Sequence, residues 1–393
     1  PAQNFYYYKE SLIQNIDPKF GPLSGNTFIN LNATNINHKN ACNPTIRFST
    51  IDIKPEKINK MENSLLIKSP PGNYSGAVEV QISLNGQDYE PDTRVNFRDI
   101  EHTFYYYKFP IVTDVIPKIG PTTGNTKISI LGLNFNAPFY FVENESDKII
   151  QYRFVDSKDE GKVYGEIKSA KANKNSLLEI ISPIVQEDKL STNIQLSYNK
   201  QNFETIPSEE FVFYLLPNIT HISPSYGPVE LKEKNIKIHL DNYYCTENCD
   251  SILCKYSSKN LNLLEKGLYI SPNLIQCELP YVNSPENYEV EVSFNNGEQF
   301  TNNKHTYTFY KPYVQSIEPQ MIPSKGNSKM LIRGYGFADS KENLKVKFGD
   351  SNIKCADSPN DIDNQSQDCM KNAKFINENL IEVENFPSSK IYK

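Results

Sequence analysis

The sequence predicts an all-β protein in which β-sandwich domains follow one another in tandem along an extended rod. Three observations indicate this. Related stretches that open on an aromatic run begin at Phe5, Phe104, Phe213 and Phe309, so they recur at intervals of roughly 100 residues, the usual size of a small domain. Short alternating apolar segments are separated by turn residues, and no segment has a convincing helical period.

The second stretch shows how each unit begins. Its aromatic run is followed by the β-branched segment 111–116 and then by Pro117, Gly120, Pro121 and Gly124. Proline pre-sets the backbone for a turn and glycine supplies positive φ, so this spacing predicts a strand followed by a turn. The other stretches keep most of these positions, at Pro18, Gly21, Pro22 and Gly25; at Pro224, Gly227 and Pro228; and at Pro319, Pro323 and Gly326.

The segment after the turn predicts a half-buried strand. Ile128 and Ile130 fall on one face, whereas Lys127 and Ser129 fall on the other, which is the period of two of a β-strand. The step at 132–135, Gly-Leu-Asn-Phe, predicts a bend where this strand ends.

Three further phrases recur later in the units. The first is a mostly apolar, basic, aromatic triplet at 46–48, 152–154, 254–256 and 346–348. The second is an apolar segment that ends in proline, at 65–71, 177–183, 274–280 and 380–387. The third predicts a hairpin at 78–89, 193–203 and 288–300, where Asn85-Gly86 and Asn296-Gly297 are strong turn signals.

About seven short strands in each unit, with turn residues about every ten positions, predict an immunoglobulin-like β-sandwich. The linked turn phrase, the strand that ends at 132–135 and the later phrase 275–280 resemble the IPT/TIG domain. This resemblance covers nearly the whole chain. It implies the end of a preceding unit at 1–8, units at 9–108, 109–215 and 216–311, and an incomplete unit at 312–393.

Composition and motifs argue against several classes of function. The net charge of −6 and a pI near 5.6 disfavour nucleic-acid binding, which normally uses a basic surface. The sequence has no nucleophile elbow, phosphate-binding loop, dinucleotide fingerprint or zinc-protease motif. We therefore predict that the protein is not an enzyme, with no catalytic residue and no cofactor.

Candidate metal ligands are sparse as well. The five histidines have no ligand spacing, and the acidic groups Glu143 with Glu145 and Asp361 with Asp363 lack the alternating ligands of a calcium loop. We interpret them as solvated loop residues and predict no metal site. No run of 18 or more apolar residues is present, so we expect any membrane anchor to lie outside this stretch.

Two of the seven cysteines occupy positions that other units fill with apolar strand residues. Cys254 stands where Ile46 and Tyr152 stand, and Cys277 stands where Ile67 and Ile180 stand, so the pair would meet inside the third sandwich as a disulfide. Local disulfides are predicted for the pairs Cys245 with Cys249 and Cys355 with Cys369, which leaves Cys42 over. Buried reduced thiols and a zinc site formed by Cys245, Cys249, Cys254 and Cys277 are the alternatives.

Sequons for N-linked glycosylation occur at Asn32, Asn73, Asn144, Asn218 and Asn364. Asn, Ser and Thr are so abundant that random placement would produce a similar number. The sequons are glycosylation candidates, and only the predicted cysteine pairing favours an oxidising compartment.

The joints between units are short. The run 104–108 closes one unit and the next has begun by Ile111, without a Gly/Ser spacer, so we expect stiff joints and an extended rod. The aromatic runs place rings on both faces of a closing strand, and one face must be core. The other face, Tyr105 and Tyr107 or their alternates, has two alternatives: contact with a neighbouring unit or another chain, or a solvated tyrosine ladder.

These observations favour a non-catalytic structural or adhesive protein, a rigid extracellular or cell-surface spacer that contacts other proteins or copies of itself. One alternative is an intracellular, cytoskeletal rod similar in role to filamin-type repeats, with reduced cysteines. The other is an accessory arm of an enzyme whose catalytic domain lies outside this stretch.

Overall fold

The computed structural model describes residues 7–36, 44–90, 102–136, 139, 148–207, 210–229, 235–241, 251–259, 261–323, 328–339, 344–348 and 370–384. Every regular element in these ranges is a β-strand, which confirms the predicted all-β fold. Across the same ranges, no helix is long and apolar enough to cross a membrane. The chain forms two compact units, Pro1–Leu215 and Leu216–Lys393, and each is described by itself.

The first sandwich has nine strands: β1 (Ile13–Asp17), β2 (Phe20–Pro22), β3 (Phe28–Ala33), β4 (Thr45–Phe48), β5 (Ile51–Ile53), β6 (Lys57–Asn59), β7 (Ser64–Lys68), β8 (Gly76–Ser83) and β9 (Thr103–Tyr107). They form two sheets with the orders β1-β3-β7-β6 and β2-β9-β8-β4-β5. Strand β2 pairs with the closing strand β9 in parallel, whereas the other pairings are antiparallel. The turn phrase at Pro18–Gly25 therefore lies beside the end of its own unit.

The second sandwich repeats this arrangement. Its sheets have the orders β10-β12-β16-β15 and β11-β19-β17-β13-β14, and β18 pairs with β17. The strands are β10 (Ile111–Ile116), β11 (Ile119–Pro121), β12 (Lys127–Leu133), β13 (Ile150–Asp156), β14 (Val163–Ala170), β15 (Ala172–Lys174), β16 (Leu177–Ile181), β17 (Lys189–Ser197), β18 (Glu204–Thr205) and β19 (Phe211–Tyr214).

The second compact unit holds the third and fourth sets of strands. The third set is β20 (Ile219–Ser223), β21 (Tyr226–Pro228), β22 (Asn235–Leu240), β23 (Leu253–Ser257), β24 (Asn262–Ser271), β25 (Leu274–Glu278), β26 (Glu286–Ser293) and β27 (His305–Tyr310). Strand β24 pairs with β23 along its first half and with β25 along its second half, so it crosses from one sheet to the other. The fourth set is β28 (Tyr313–Glu318), β29 (Met330–Tyr335), β30 (Lys345–Lys347), β31 (Met370–Asn377) and β32 (Leu380–Val383).

The predicted alternation places the core. In β12, Ile128 and Ile130 are fully buried, whereas Lys127 is exposed and Ser129 is half-buried, which confirms the two-residue period. The proline-ended phrase lies next to it, because Ile128 pairs with Ile180 and Ile130 pairs with Leu178. The strand after the turn and the strand before the proline therefore line one wall of each core.

The second glycine of the turn phrase is required by a close backbone contact. Gly25 has φ of 74° and lies so near Pro70 that an added Cβ would be 2.6 Å from the Pro70 carbonyl carbon. Gly124 has φ of 70°, and an added Cβ there would be 2.5 Å from the Pro183 carbonyl oxygen. The turn phrase and the proline-ended phrase recur together because these backbones touch. The peptide bond before the first proline of the phrase is cis in all four units.

The basic residue of the apolar-basic-aromatic phrase lies over the aromatic ring that ends the hairpin phrase. The Arg47 guanidinium is 3.6 Å from the Tyr89 ring centroid, and that of Arg153 is 4.2 Å from the Phe203 centroid. In the third unit, Lys255 Nζ lies 4.7 Å from the ring centroid of Phe300. A cation above a ring face contributes about 0.5–1 kcal/mol at an exposed site, which accounts for the recurrence of both residue types.

The hairpins differ from the tight two-residue turns that the Asn-Gly pairs predict. After β8, Ile82 bridges to Glu90, so the loop between them is longer than two residues. An asparagine side chain closes this loop, because Asn85 Oδ1 accepts hydrogen bonds from the amides of Gln87 (3.0 Å) and Asp88 (2.9 Å). The asparagine thus acts as a side-chain cap of the loop.

We expect Gly25→Ala to destabilise the first sandwich more than Gly86→Ala does. Both glycines have positive φ, so each alanine would cost about 1–2 kcal/mol of left-handed strain. An added Cβ at Gly86 has no atom nearer than 3.9 Å, whereas Gly25 also meets the Pro70 backbone, which adds about 1–3 kcal/mol of overpacking. Amide exchange of the β3 and β7 strands under increasing urea measures the difference. Equal losses for the two variants would contradict this account.

Candidate functional site at the joint between the first two sandwiches

Five aromatic rings from both sandwiches meet at the joint within the first compact unit. Tyr107 ends the closing strand of the first sandwich, yet it is buried in the core of the second. Tyr198, at the start of the hairpin loop after β17, contacts the rings of Tyr107 (5.3 Å between centroids), Phe139 (5.4 Å) and Phe109 (6.3 Å). Phe20, from the first turn phrase, packs edge-on against Tyr107 and Phe139. The second core therefore includes residues of the first sandwich.

Amide side chains of the same hairpin bind the turn of the first sandwich. Gln201 accepts a hydrogen bond from the Phe28 amide (3.1 Å) and donates one to the Phe28 carbonyl (2.9 Å). Asn202 Oδ1 accepts from Thr27 Oγ1 (2.8 Å), and Asn199 Nδ2 donates to the Phe20 carbonyl (3.3 Å). The turn phrase of one unit and the hairpin phrase of the next thus form the joint.

The hairpin holds these side chains in place by local bonds. Asn199 Oδ1 accepts from the amides of Gln201 (3.2 Å) and Asn202 (2.9 Å), while its Nδ2 donates to Asn202 Oδ1 (2.8 Å). Lys200 takes the left-handed conformation, with φ of 65°, at the position that glycine holds in the first hairpin. The hydrogen bonds of Asn199 therefore order the loop independently of its contacts with the first sandwich.

The joint has a neutral, desolvated interior. Burial raises the pKa of Tyr107 above its usual value, and the charges of Glu204 and Tyr198 raise it further. Burial also raises the pKa of Tyr198 and of the Glu204 carboxyl. Both phenols are neutral at physiological pH, so their rings pack at the joint without a buried phenolate.

The structure selects between the two alternatives for the outer face of the closing strand. Phe104 and Tyr106 belong to the core of the first sandwich. Tyr107 contacts the neighbouring sandwich, as one alternative proposed, whereas Tyr105 stays half-buried. The hairpin amides were not identified from the sequence, and the one signal was that this hairpin has Asn199-Lys200 in place of an Asn-Gly pair.

Cys254 and Cys277 form a disulfide in the core of the third sandwich. Their Cα atoms are 6.0 Å apart, they are separated by 23 residues, and both side chains are fully buried. The bond leaves neither sulfur available as a thiolate for the zinc alternative. Cys42, Cys245, Cys249, Cys355 and Cys369 lie outside the described residues, so the two local disulfides stay predictions.

Three glycosylation candidates lie in described ranges. Asn73 and Asn218 are exposed, and Asn32 is half-buried in β3. The side-chain Nδ2 of Asn218 donates to Asp241 Oδ2 (2.8 Å), so a glycan on Nδ2 would replace this hydrogen bond. Asn144 and Asn364 lie outside the described residues, as do the acidic groups Glu143 with Glu145 and Asp361 with Asp363.

Two histidines lie together on the outer face of the third sandwich. His221 and His239 pair across β20 and β22, and their rings stack with centroids 3.8 Å apart. Burial lowers the pKa of His239, and the charges of His221 and Lys237 lower it further. Within the described ranges, no three His, Cys, Asp or Glu side chains gather in an arrangement that could hold a metal ion.

Comparison with known proteins identifies the repeated module. The IPT/TIG domain family model matches residues 312–382, which carry the fourth copy of the turn phrase. The other three units share that copy's phrases and the order of the first four strands of its sheet, β28-β29-β32-β31. The chain is a tandem array of IPT/TIG-like, immunoglobulin-like domains.

A curated relative is Fibrocystin-L of Homo sapiens, which is 24% identical to this IPT/TIG-like array over an alignment of 235 residues. The match covers 54% of the array, and the array spans about 5% of the length of that protein. Among solved structures, the extracellular region of plexin A4 is 13% identical, with 98% of this chain and 30% of that chain covered and a TM-score of 0.37. The ICAM-5 D1–D4 ectodomain fragment is 8% identical, with 98% and 100% covered and a TM-score of 0.23.

We predict that Gln201→Ala loosens the joint between the first two IPT/TIG-like domains. The Phe28 amide loses its acceptor and the Phe28 carbonyl loses a donor, at about 1 kcal/mol per bond. Amide exchange at Phe28 should accelerate at least fivefold. Gln87→Ala, at the same place in the first hairpin, is the matched control and should leave Phe28 unchanged. Unaltered exchange in the Gln201 variant would show that the Gln201 side-chain amide does not hold the joint.

Proposed function

We propose that this chain is a non-catalytic structural or adhesive protein, a rigid spacer of IPT/TIG-like domains that acts through protein–protein contacts at the cell surface or in an extracellular assembly. The observation that carries this proposal is the built joint, in which Tyr107 of one sandwich belongs to the core of the next. A flexible connection would leave that ring exposed to water.

The energetics of the joint favour one fixed geometry. Aromatic pairs contribute about 0.5–1.5 kcal/mol each beyond their buried area, and Tyr198 alone takes part in three such pairs. The Gln201 side-chain amide adds two hydrogen bonds of defined direction to the backbone of Phe28. A hinge motion would break both sets of contacts together, so the joint resists bending.

We propose domain boundaries at 9–108, 109–215 and 216–311, with the end of a preceding unit at 1–8 and an incomplete unit at 312–393. Segment 108–110 joins the closing aromatic strand of the first sandwich to the first strand of the second without a spacer. Such a short connection cannot act as a free tether.

The buried Cys254–Cys277 disulfide supports an extracellular or cell-surface location, because disulfides persist in oxidising compartments. A mass shift of the native protein on reduction distinguishes this location from a cytoskeletal one. The partners we propose are proteins, copies of this chain included. A net charge of −6 disfavours nucleic acid, and we propose no cofactor.

Small-angle scattering tests the spacer directly. A rigid spacer in which sandwiches of roughly 35–40 Å each followed one another end to end would have a length of roughly 130–150 Å and a radius of gyration of about 40 Å. A compact protein of this size has a radius of gyration of about 21 Å. We expect the larger value, unchanged with protein concentration. A value near the smaller one would refute the spacer.

A further inference from the structure

The first hairpin presents a surface built like the one at the joint. A cavity of about 450 Å³ lies between this hairpin and the chain segment that enters the first sandwich. Its walls include Tyr8, Leu84, Asn85 and Asp88. We call these four residues, together with Gln87 at the tip of the same loop, the first hairpin face.

The loop of this face has the internal bonds of the second hairpin. Asn85 Oδ1 caps the amides of Gln87 and Asp88, and Asn85 Nδ2 donates to Asp88 Oδ2 (2.7 Å). The second hairpin has the same three bonds, made by Asn199 to the residues two and three positions later. The loop closures also agree, because Ile82 pairs with Glu90 as Leu196 pairs with Glu204.

The surrounding residues correspond as well. Leu84 is buried at the place that Tyr198 holds, and Gln87 stands at the place of Gln201. Tyr8 stands in the repeat where Tyr107 stands and lines the same side of the loop. The exposure differs, since Tyr8 is 36% exposed whereas Tyr107 is 5% exposed. At the joint, the Tyr107 ring packs against Phe20 of the first sandwich and Tyr198 of the second.

We propose that the first hairpin face seats another IPT/TIG-like sandwich of the same chain, the one whose closing strand supplies Tyr7 and Tyr8. The first hairpin face contacts the turn phrase of that sandwich, just as the second hairpin contacts residues 20–28 of the first sandwich. This inference rests on the proposed function as a tandem spacer and names the surface that continues it.

The chemistry of the face defines what the occupant must offer. The side-chain amide of Gln87 has an NH2 group that donates and a carbonyl oxygen that accepts, which suit the carbonyl and amide of a single strand-edge residue, as Gln201 suits Phe28. Asp88 has a carboxylate oxygen where Asn202 accepts from Thr27, so the occupant presents a Thr or Ser hydroxyl there. Leu84 and Tyr8 require an apolar or aromatic partner, the role that Phe20 has beside Tyr107 and Tyr198 at the joint.

Amide exchange in the full natural protein, compared with this 393-residue chain, tests the proposal. The Gln87 and Asp88 amides should exchange at least tenfold more slowly in the full protein, whereas the Gln201 and Asn202 amides should exchange alike in both. Gln87→Ala in the full protein should abolish the added protection at Asp88, and Gln299→Ala, in the third hairpin, should not.

Equal exchange of the Gln87 and Asp88 amides in the two chains would overturn the proposal, as would added protection that survives Gln87→Ala. If the Phe28 amide, which donates to Gln201 across the existing joint, remains protected in that case, the spacer function stands and only this seat is wrong. If the Phe28 amide is unprotected in both chains, the joint itself is absent and the proposed function fails.

Discussion

The first turn phrase must lie flat against the proline-ended strand beneath it, and the joint depends on that contact. Only glycine permits the approach at Gly25, where the backbone touches Pro70. The same is true at Gly21, where an added Cβ would be 2.3 Å from Thr27 Oγ1. The Thr27 amide then donates to Ser69 Oγ (3.0 Å), which fixes the start of β3. With the turn held there, Thr27 and Phe28 face the hairpin of the next sandwich.

One short phrase therefore acts at two levels. Within a unit, it closes the sandwich, since β2 pairs in parallel with the closing strand β9. Between units, it supplies the Phe20 ring and the Phe20 carbonyl to which the Asn199 side chain donates. Packing within its own unit and packing against the next unit both constrain the sequence of this phrase, which gives a physical reason for its recurrence in an array.

The neutrality of the joint is part of the same design. Desolvation favours the uncharged forms of Tyr107 and Tyr198, so neither phenol needs a counter-charge across the interface. The polar atoms at the rim are amides and a hydroxyl that bond to one another and to backbone. The two phenols therefore stay uncharged across the physiological pH range.

Sequence alone predicted the features that depend on local pattern. The alternation of Ile128 with Lys127 placed the core face of β12, and the counterparts of Cys254 and Cys277 placed both sulfurs on core strands. The positions of the hairpin loops were predicted from the sequence, but the length of the first loop was not, because the Asn85 side chain caps a loop longer than two residues. The joint residues Asn199 and Gln201 were missed, since their contacts lie more than 170 residues away and leave no periodic signal.

Tyr107 of the first sandwich lies in the core of the second, so the two sandwiches should move as one body. Backbone residual dipolar couplings measured across β3, β7, β12 and β16 in a single alignment medium test it most directly. The account predicts that one alignment tensor fits the couplings of both sandwiches. Two tensors of different magnitude or direction, each fitting only its own sandwich, would contradict it.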